Sequence, residues 1–183
     1  MKLFFDTEFT GLRKDTTIIS IGIVAENGKR FYAEFTDYDK SQCDDWIVEN
    51  ITSELLHLKP QIWEGGVADS QIVGNRKEVL YALEDWLQQF NSVQFVSDVC
   101  HYDFVLLIDL FGTAWDLPQN VSASCHDINQ DIAKHYGISE RDAFDKSREE
   151  IVTDLCGEAI SGEKHNALHD AEVIKAIYQA TKD

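Results

Sequence analysis

The first 35 residues constrain the fold most, because they combine two apolar segments with a strong turn signal. Residues 2–6 are mostly apolar, and residues 17–25 are nearly continuous in β-branched and other apolar residues, which is typical of buried strands. Glu26-Asn27-Gly28-Lys29 follows at once, and Asn-Gly is the strongest short signal for a β-hairpin. Residues 30–35 alternate and would return as a third strand. We therefore expect three antiparallel strands at the start of the chain.

The remaining sequence is mainly helical in pattern, with a fourth strand predicted over residues 93–97. Gly65-Gly66 indicates a loop. Helices are predicted over residues 41–60 (ending near Pro60), 76–90, 102–111 and 166–180. Residues 124–136 should contain another helix, and residues 139–156 are mostly helical in pattern. Antiparallel strands followed by helix, strand and helix predict a mixed α/β sheet that is covered by helices.

The charge of the chain limits how it can hold nucleic acid. Asp and Glu number 33 against 16 Lys and Arg, which gives a formal net charge of −17. Proteins that hold long nucleic acid by its phosphates are usually basic, because released counterions supply affinity. This chain would therefore bind no nucleic acid, or grip only a few nucleotides at one end with bound cations supplying local positive charge.

The composition also favours a particular compartment. No apolar run approaches the roughly 20 residues that span a membrane, and the charge at Asp6 comes too early for a secretory signal. The cysteines are widely spaced, as is typical of reduced thiols: Cys43, Cys100, Cys125 and Cys156. We expect a cytoplasmic protein with no membrane partner, built as one domain over residues 1–183.

Asp6 and Glu8 lie two residues apart at the end of the first strand. A period of two places both carboxylates on one face, where they repel each other unless a cation shares them. A polar strand end is the ordinary explanation of a single Asp-x-Glu. The buried segment before this pair would hold both acids rigidly and favours a metal site. Thr10-Gly11 then turns the backbone close to whatever binds there.

Three later residues complete the candidate site. Asp103 follows the fourth strand and lies near the start of a helix, where the helix dipole also favours an acid, and Asp98 is a competing acid. His165 precedes the last helix and Asp170 lies within it, so a loop histidine could face a site that the aspartate lines. An imidazole with a pKa near ~6.5 can accept a proton at neutral pH. Acids that hold hard cations, with a base beside them, suit phosphodiester hydrolysis by two metal ions.

The sequence resembles the DEDDh 3′–5′ exonucleases, the relatives of ribonuclease T and oligoribonuclease, at five residues in order: Asp6, Glu8, Asp103, His165 and Asp170. The sister group carries Tyr four residues before its last Asp, and here that position is Asn166. The segment around Asp6, the strand over residues 19–24 and the Asn27-Gly28 hairpin look most like the small bacterial 3′-exoribonucleases of this group.

The resemblance implies an α/β, ribonuclease H-like fold with a mixed five-stranded sheet flanked by helices, its fifth strand near Ser122. It also implies stepwise release of nucleoside 5′-monophosphates from a single-stranded 3′ end, most often RNA or short oligonucleotides, by a homodimer. His165 would take a proton from the attacking water. Two Mg²⁺ or Mn²⁺ ions would be held by Asp6, Glu8, Asp103 and Asp170. The expected substrate contacts beside the acid pair are Phe9, Thr10 and Leu12.

Three alternatives stay open on sequence grounds. A DNA-directed, proofreading-type 3′–5′ exonuclease would use the same acids. A haloacid-dehalogenase-type phosphatase also begins with an apolar strand that ends in Asp-x-acid and needs Mg²⁺, but Asp44-Asp45 comes too early for its second acid pair. A catalytically dead interaction domain would keep the fold and lose tight binding of divalent ions.

Overall fold

The computed structural model describes residues 1–56 and 70–182, and a mixed six-stranded sheet lies at the centre of these residues. Across the sheet the strands run in the order β4-β3-β2-β1-β5-β6, with these bounds: β1 (Lys2–Phe9), β2 (Ile18–Ala25), β3 (Arg30–Phe35), β4 (Ser70–Gly74), β5 (Gln94–Ser97) and β6 (His126–Asp127). β1, β2 and β3 pair antiparallel, whereas β4 joins β3, β5 joins β1 and β6 joins β5 in parallel.

Helices cover both faces of the sheet: α1 (Asp45–Asn50), α2 (Arg76–Leu87), α3 (Cys100–Phe111), α4 (Ile128–Tyr136), α5 (Glu140–Asp145), α6 (Arg148–Cys156) and α7 (Ala167–Thr181). One apolar core lies between the sheet and helices α2 and α3. A second core lies on the opposite face, among β1, β5, α4, α6 and α7. Within the described ranges, no helix is long and apolar enough to cross a membrane.

The predicted three-stranded antiparallel start is confirmed, with Gly28 in the turn at φ 89°. The predicted number of five strands is wrong, because the described residues form six. β4 was not foreseen, since it is a short edge strand that buries only part of its length and therefore has no continuous apolar run. β6 has two residues and lies a few positions beyond the fifth strand expected near Ser122.

The predicted helices over residues 76–90, 102–111 and 166–180, and the one within 124–136, are present with changes at their ends. The pattern over residues 41–60 gives only α1 and a 3-10 turn at Thr52–Glu54; its last part, and Gly65-Gly66, lie outside the described residues. The stretch over 139–156 is two helices, since Ser139 and Ser147 each cap a new start. Cys100 and Cys125, far apart in sequence, bring their sulfur atoms to 3.0 Å as free thiols.

Gly22 sets how closely α7 lies on the sheet. It stands opposite Asp6 in the β1–β2 ladder, and a Cβ atom there would lie 2.3 Å from backbone atoms of Ala167 and Leu168. No side chain fits in that space, so the first turn of α7 rests directly on the strand backbone. The same contact brings Asp170, three residues after Ala167 in the first turn of α7, to the end of β1.

We predict that Gly22→Ala moves the start of α7 and destabilises the protein by about 3 kcal/mol or more, because the methyl group would have to displace backbone and not a flexible side chain. Thermal denaturation measures the loss of stability, because each kcal/mol lowers the Tm of a chain of this size by about 2–4 °C. Gly137→Ala is the comparison variant, because Gly137 has open space around it and its substitution costs only the strain of a left-handed backbone at φ 64°, about 1–2 kcal/mol. Equal losses in the two variants would contradict the steric account.

Candidate active site

The acid pair lies where β1 reaches the start of α7. Phe4 packs on Tyr178 of α7 at a ring distance of 5.1 Å, and the strand period places Asp6 and Glu8 on the same face as Phe4. Asp6 is partly buried and Glu8 is buried. Among the described residues, neither carboxylate has an ion-pair partner. The strand therefore presents two acids with no protein cation bound to them.

Asp103 lies in the first turn of α3 and is completely buried. Two hydroxyl groups fix its carboxylate: Thr7 Oγ1 donates to Oδ1 at 2.7 Å, and Ser97 Oγ donates to Oδ2. Burial raises the pKa of Asp103 to about 7, although both hydrogen bonds oppose the rise. Sequence reasoning placed Asp103 in the site and missed Thr7 and Ser97, because neither hydroxyl belongs to a recognisable motif.

His165 and Asp170 meet at the start of α7, as their spacing suggested. Asn166 caps the helix by accepting from the amides of Leu168 and His169. His165 has φ 64°, a left-handed backbone that only a few per cent of non-glycine residues adopt, and its amide donates to Asp170 Oδ2 at 3.1 Å. This tight loop turns the imidazole toward the acids. Burial and then the Lys164 charge lower the pKa of His165, which favours the neutral ring.

The ligand atoms of the site fall into two groups of three, and within each group the atoms lie within 4.8 Å of one another. One group is Glu8, His165 and Asp170, and the other is Asp6, Asp98 and Asp103. Together these side chains line a cleft of about 350 Å³. The five predicted residues are therefore brought together, and Asp98 is an addition to them: the sequence offered it as a competitor of Asp103, whereas the structure places both at the cleft.

Asp98 is held in place by Arg148. Its Oδ2 accepts from Arg148 Nε at 2.8 Å, and the rest of the guanidinium donates to Asn129 Oδ1 at 2.6 Å and to the carbonyls of Ala143 and Lys146 at 3.0 Å. The guanidinium is therefore fixed by acceptors from three elements of the fold. In the sequence, Arg148 lies in a sparse basic stretch with Arg141, Lys146 and Lys164, and its contacts could not be predicted because its partners come from distant segments.

The electrostatics of the cleft fit divalent cations. Burial raises the pKa of Asp6 and of Glu8 well above the usual range, and the neighbouring carboxylates raise it further. Burial, followed by the charge of Asp98, raises the pKa of Asp170 to about 7. Crowded carboxylate oxygens of this kind are the ligands that hard cations prefer, and the positive charge would relieve their repulsion.

An apolar pocket of about 310 Å³ adjoins the cleft and is called the base pocket, after the role proposed for it below. It is lined by Phe9, Leu12, Trp46, Ile47 and Ile51, together with Glu8, Gly11 and Asp44. Leu12 is 75 % exposed and Trp46 is 51 % exposed, so both present apolar surface to solvent. The Trp46 ring also meets the His165 ring edge-on at 5.1 Å. The sequence gave no signal for Trp46, which stands in a short helix without a motif.

Of the three expected substrate contacts, Phe9 and Leu12 line the base pocket, and Thr10 does not. Thr10 is completely buried, and its hydroxyl is bonded to Gln42, Thr16 and Thr17. Its side chain holds the loop after β1 in shape instead of facing the cleft.

Comparison with known proteins supports one class for this fold and site. The chain is similar to two curated 3′–5′ exoribonucleases of Mycobacterium tuberculosis: MT2234.1 of strain CDC 1551 / Oshkosh and Rv2179c of strain ATCC 25618 / H37Rv. Each is 29 % identical to this chain over 132 residues, which are 71 % of this chain and 73 % of the relative. The nuclease domain of 3′hExo, a DEDDh family member bound to rAMP, has TM-score 0.68 at 15 % identity, covering 97 % of this chain and 88 % of that one. The Neurospora crassa Pan2 catalytic unit has TM-score 0.58 at 15 % identity, covering 99 % and 27 %.

The mixed sheet, with carboxylates delivered by β1, α3 and α7, has the ribonuclease H-like fold of these structural neighbours, so the expected fold class is confirmed. The chain belongs to the Rv2179c-like 3′–5′ exoribonuclease domain family, whose profile matches residues 1–181. The protein is a metal-dependent 3′–5′ exonuclease of this family. The phosphatase alternative has no support, and Asp44 serves as the N-cap of α1.

We predict that the metal-free protein loses stability as the pH rises from about 4 to about 7. Asp103 and Asp170 keep their protons up to about pH 7 in the folded state, whereas exposed carboxyls lose theirs near 3.8. Between these values the folded state binds more protons than the unfolded state, so the free energy of unfolding falls with rising pH. Thermal denaturation in EDTA at pH 5 and pH 8 measures the decline.

Saturating Mn²⁺ should reverse the decline at pH 8, because a ligand that binds only the folded state raises Tm. Asp103→Asn should weaken the pH dependence in EDTA, since it removes one of the titrating groups. Equal melting temperatures at the two pH values in EDTA would contradict the raised pKa values of Asp103 and Asp170. No gain in Tm with Mn²⁺ at pH 8 would show that the buried acids do not form a cation site.

Proposed function

We propose that the protein removes nucleotides one at a time from the 3′ end of single-stranded RNA, using divalent cations held by Asp6, Glu8, Asp103 and Asp170. The observation that carries this proposal is the convergence of two three-residue ligand groups at one cleft. Mg²⁺ and Mn²⁺ both prefer oxygen ligands and are the proposed ions. When bound, they would polarise the scissile phosphate and make water more acidic.

His165 is proposed as the general base. Its ring reaches the group formed with Glu8 and Asp170, and its lowered pKa keeps a nitrogen free to accept a proton at neutral pH. The bond from its amide to Asp170 and the edge-on contact with Trp46 restrict where the ring can lie. The proton would pass from the attacking water to the imidazole nitrogen and leave to solvent after the product departs.

The base pocket is proposed to take the terminal nucleobase. Leu12 and Trp46 offer two exposed apolar surfaces beside Glu8, and a base between them would place its 5′ phosphate toward the cleft. A 3′-exonuclease of the same fold recognises the 3′ end of a histone mRNA stem-loop, with TM-score 0.62 at 13 % identity, which supports RNA as the substrate.

A single domain over residues 1–183, a homodimer and a cytoplasmic location stay predictions. Light scattering would test whether the protein is a homodimer.

We predict that His165→Ala slows cleavage of a 5′-labelled oligoribonucleotide by about 10²–10⁴-fold, because the water loses its base. Asp6→Asn should abolish cleavage while the protein stays folded by circular dichroism. His135→Ala is the matched control, since His135 lies in the last turn of α4 and does not line the cleft. A His165→Ala enzyme with wild-type turnover would remove His165 from the mechanism.

We also predict the substrate and the direction of cleavage. With Mn²⁺, 5′-labelled RNA should give a ladder that shortens by one nucleotide per step, with nucleoside 5′-monophosphates in the soluble fraction, and EDTA should stop the reaction. DNA of the same sequence should be cut more slowly. Faster cleavage of DNA would favour the proofreading-type alternative, and products that begin at the 5′ end would contradict the proposed polarity.

A further inference from the structure

Two cysteine thiols meet at the start of α3, and the proposed function uses neither of them. Cys100 is the first residue of α3, and Cys125 immediately precedes β6. Their sulfur atoms lie 3.0 Å apart, although the two residues are 25 positions apart in the chain. Both thiols are free and half-buried, so a small molecule can reach them from solvent. We call Cys100 and Cys125 the thiol pair.

The thiol pair is close to the geometry of a disulfide. A disulfide joins its sulfur atoms at about 2.05 Å, so the bond would shorten the present separation by about 1 Å. The Cys100 sulfur also lies 3.3 Å from the carbonyl oxygen of His126 on β6, a strand that pairs with β5. Within the described ranges, Cys43 and Cys156 make no sulfur–sulfur contact. The fold therefore prepares one pair of cysteines for a covalent bond.

The thiol pair adjoins the segment that connects β5 to α3 and supplies Asp98 and Asp103 to the cleft. Ser97 Oγ accepts from the Val99 amide at 2.9 Å and donates to Asp103 Oδ2. The Cys100 sulfur lies 3.5 Å from the carbonyl oxygen of the same Ser97. A displacement of Cys100 toward β6 would therefore disturb the hydroxyl group that fixes Asp103.

We propose that Cys100 and Cys125 form a reversible disulfide when the protein meets hydrogen peroxide, and that this bond lowers nuclease activity by displacing Asp103. One thiol attacks the peroxide, the O–O bond breaks, and a sulfenic acid and water are formed. The other thiol attacks the sulfenic sulfur, the S–S bond forms, and a second water leaves. Both sulfur atoms are oxidised and both peroxide oxygens are reduced. Formation of the disulfide is independent of the proposed function, whereas its effect on cleavage rests on it.

The first test oxidises the protein with hydrogen peroxide, removes the peroxide and identifies disulfides by mass spectrometry of unreduced peptides. Wild type should give peptides joined through Cys100 and Cys125, and dithiothreitol should separate them. RNA cleavage in Mn²⁺ should fall about 10- to 100-fold on oxidation, because a misplacement of about 1 Å can cost that much in rate. Dithiothreitol should restore the rate.

Variants separate the thiol pair from general oxidation. Cys125→Ser should keep the rate of untreated wild type, form no disulfide at Cys100 and show no loss that dithiothreitol reverses. Cys156→Ser is the matched control, since it removes an exposed thiol outside the pair and should respond to peroxide as wild type does. Absence of the joined peptides from oxidised wild type, or an equal reversible loss of rate in Cys125→Ser, would overturn the proposal.

A second arm measures Mn²⁺ binding and does not depend on cleavage. In calorimetric titration, oxidised wild type should bind at least one ion about tenfold more weakly than reduced wild type, because the supports of a metal ligand contribute about that much to affinity. By linkage, saturating Mn²⁺ should shift the thiol–disulfide equilibrium in a dithiothreitol buffer toward the dithiol by the same overall factor.

The outcomes of the second arm separate this inference from the proposed function. Equal Mn²⁺ affinities of the oxidised and reduced proteins, with the disulfide formed, would overturn the inference and leave the nuclease site intact. If oxidation weakens Mn²⁺ binding but the reduced protein cleaves no RNA, the proposed function fails and the redox site stands.

Discussion

The close contact between Gly22 and the first turn of α7 is the constraint on which the site depends. Because no side chain separates the helix from the strand, Asp170 comes to lie beside the acids at the end of β1. The acids do not attract one another, since burial and mutual repulsion disfavour their charged forms and raise their pKa values. The apolar packing on both faces of the sheet therefore holds a charged cluster together, and the cations proposed here would relieve it.

The loop before α7 shows how local chemistry completes this arrangement. A left-handed backbone at His165, an Asn166 cap and a bond from the His165 amide to Asp170 place the imidazole within reach of the acids. A strained backbone conformation of this type persists only where many surrounding contacts hold it, and it is often found at functional sites. The Trp46 ring contacts the His165 ring edge-on and restricts its position. Trp46 also forms part of the base pocket.

The sequence predicted those parts of the molecule that follow from short-range patterns. The β1–β3 start and the acid pair follow from strand periodicity and an Asn-Gly turn, and the spacing of His165 and Asp170 follows from one helix start. Tertiary neighbours could not be predicted in the same way. Trp46 reaches His165, and Arg148 reaches Asp98, across more than 40 residues of chain, and no local pattern encodes such contacts. β4 escaped for a related reason, since an edge strand carries little apolar signal.

The central claim is that side chains from β1, α3 and α7 jointly hold two divalent cations. Calorimetric titration of Mn²⁺ into the metal-free protein tests it most directly, with Asp6→Asn titrated in parallel. The account predicts two bound ions per chain in wild type and a loss of tight binding in the variant, because Asp6 lies between the other acids. Absence of binding to wild type, or the same stoichiometry and affinity in both proteins, would contradict it.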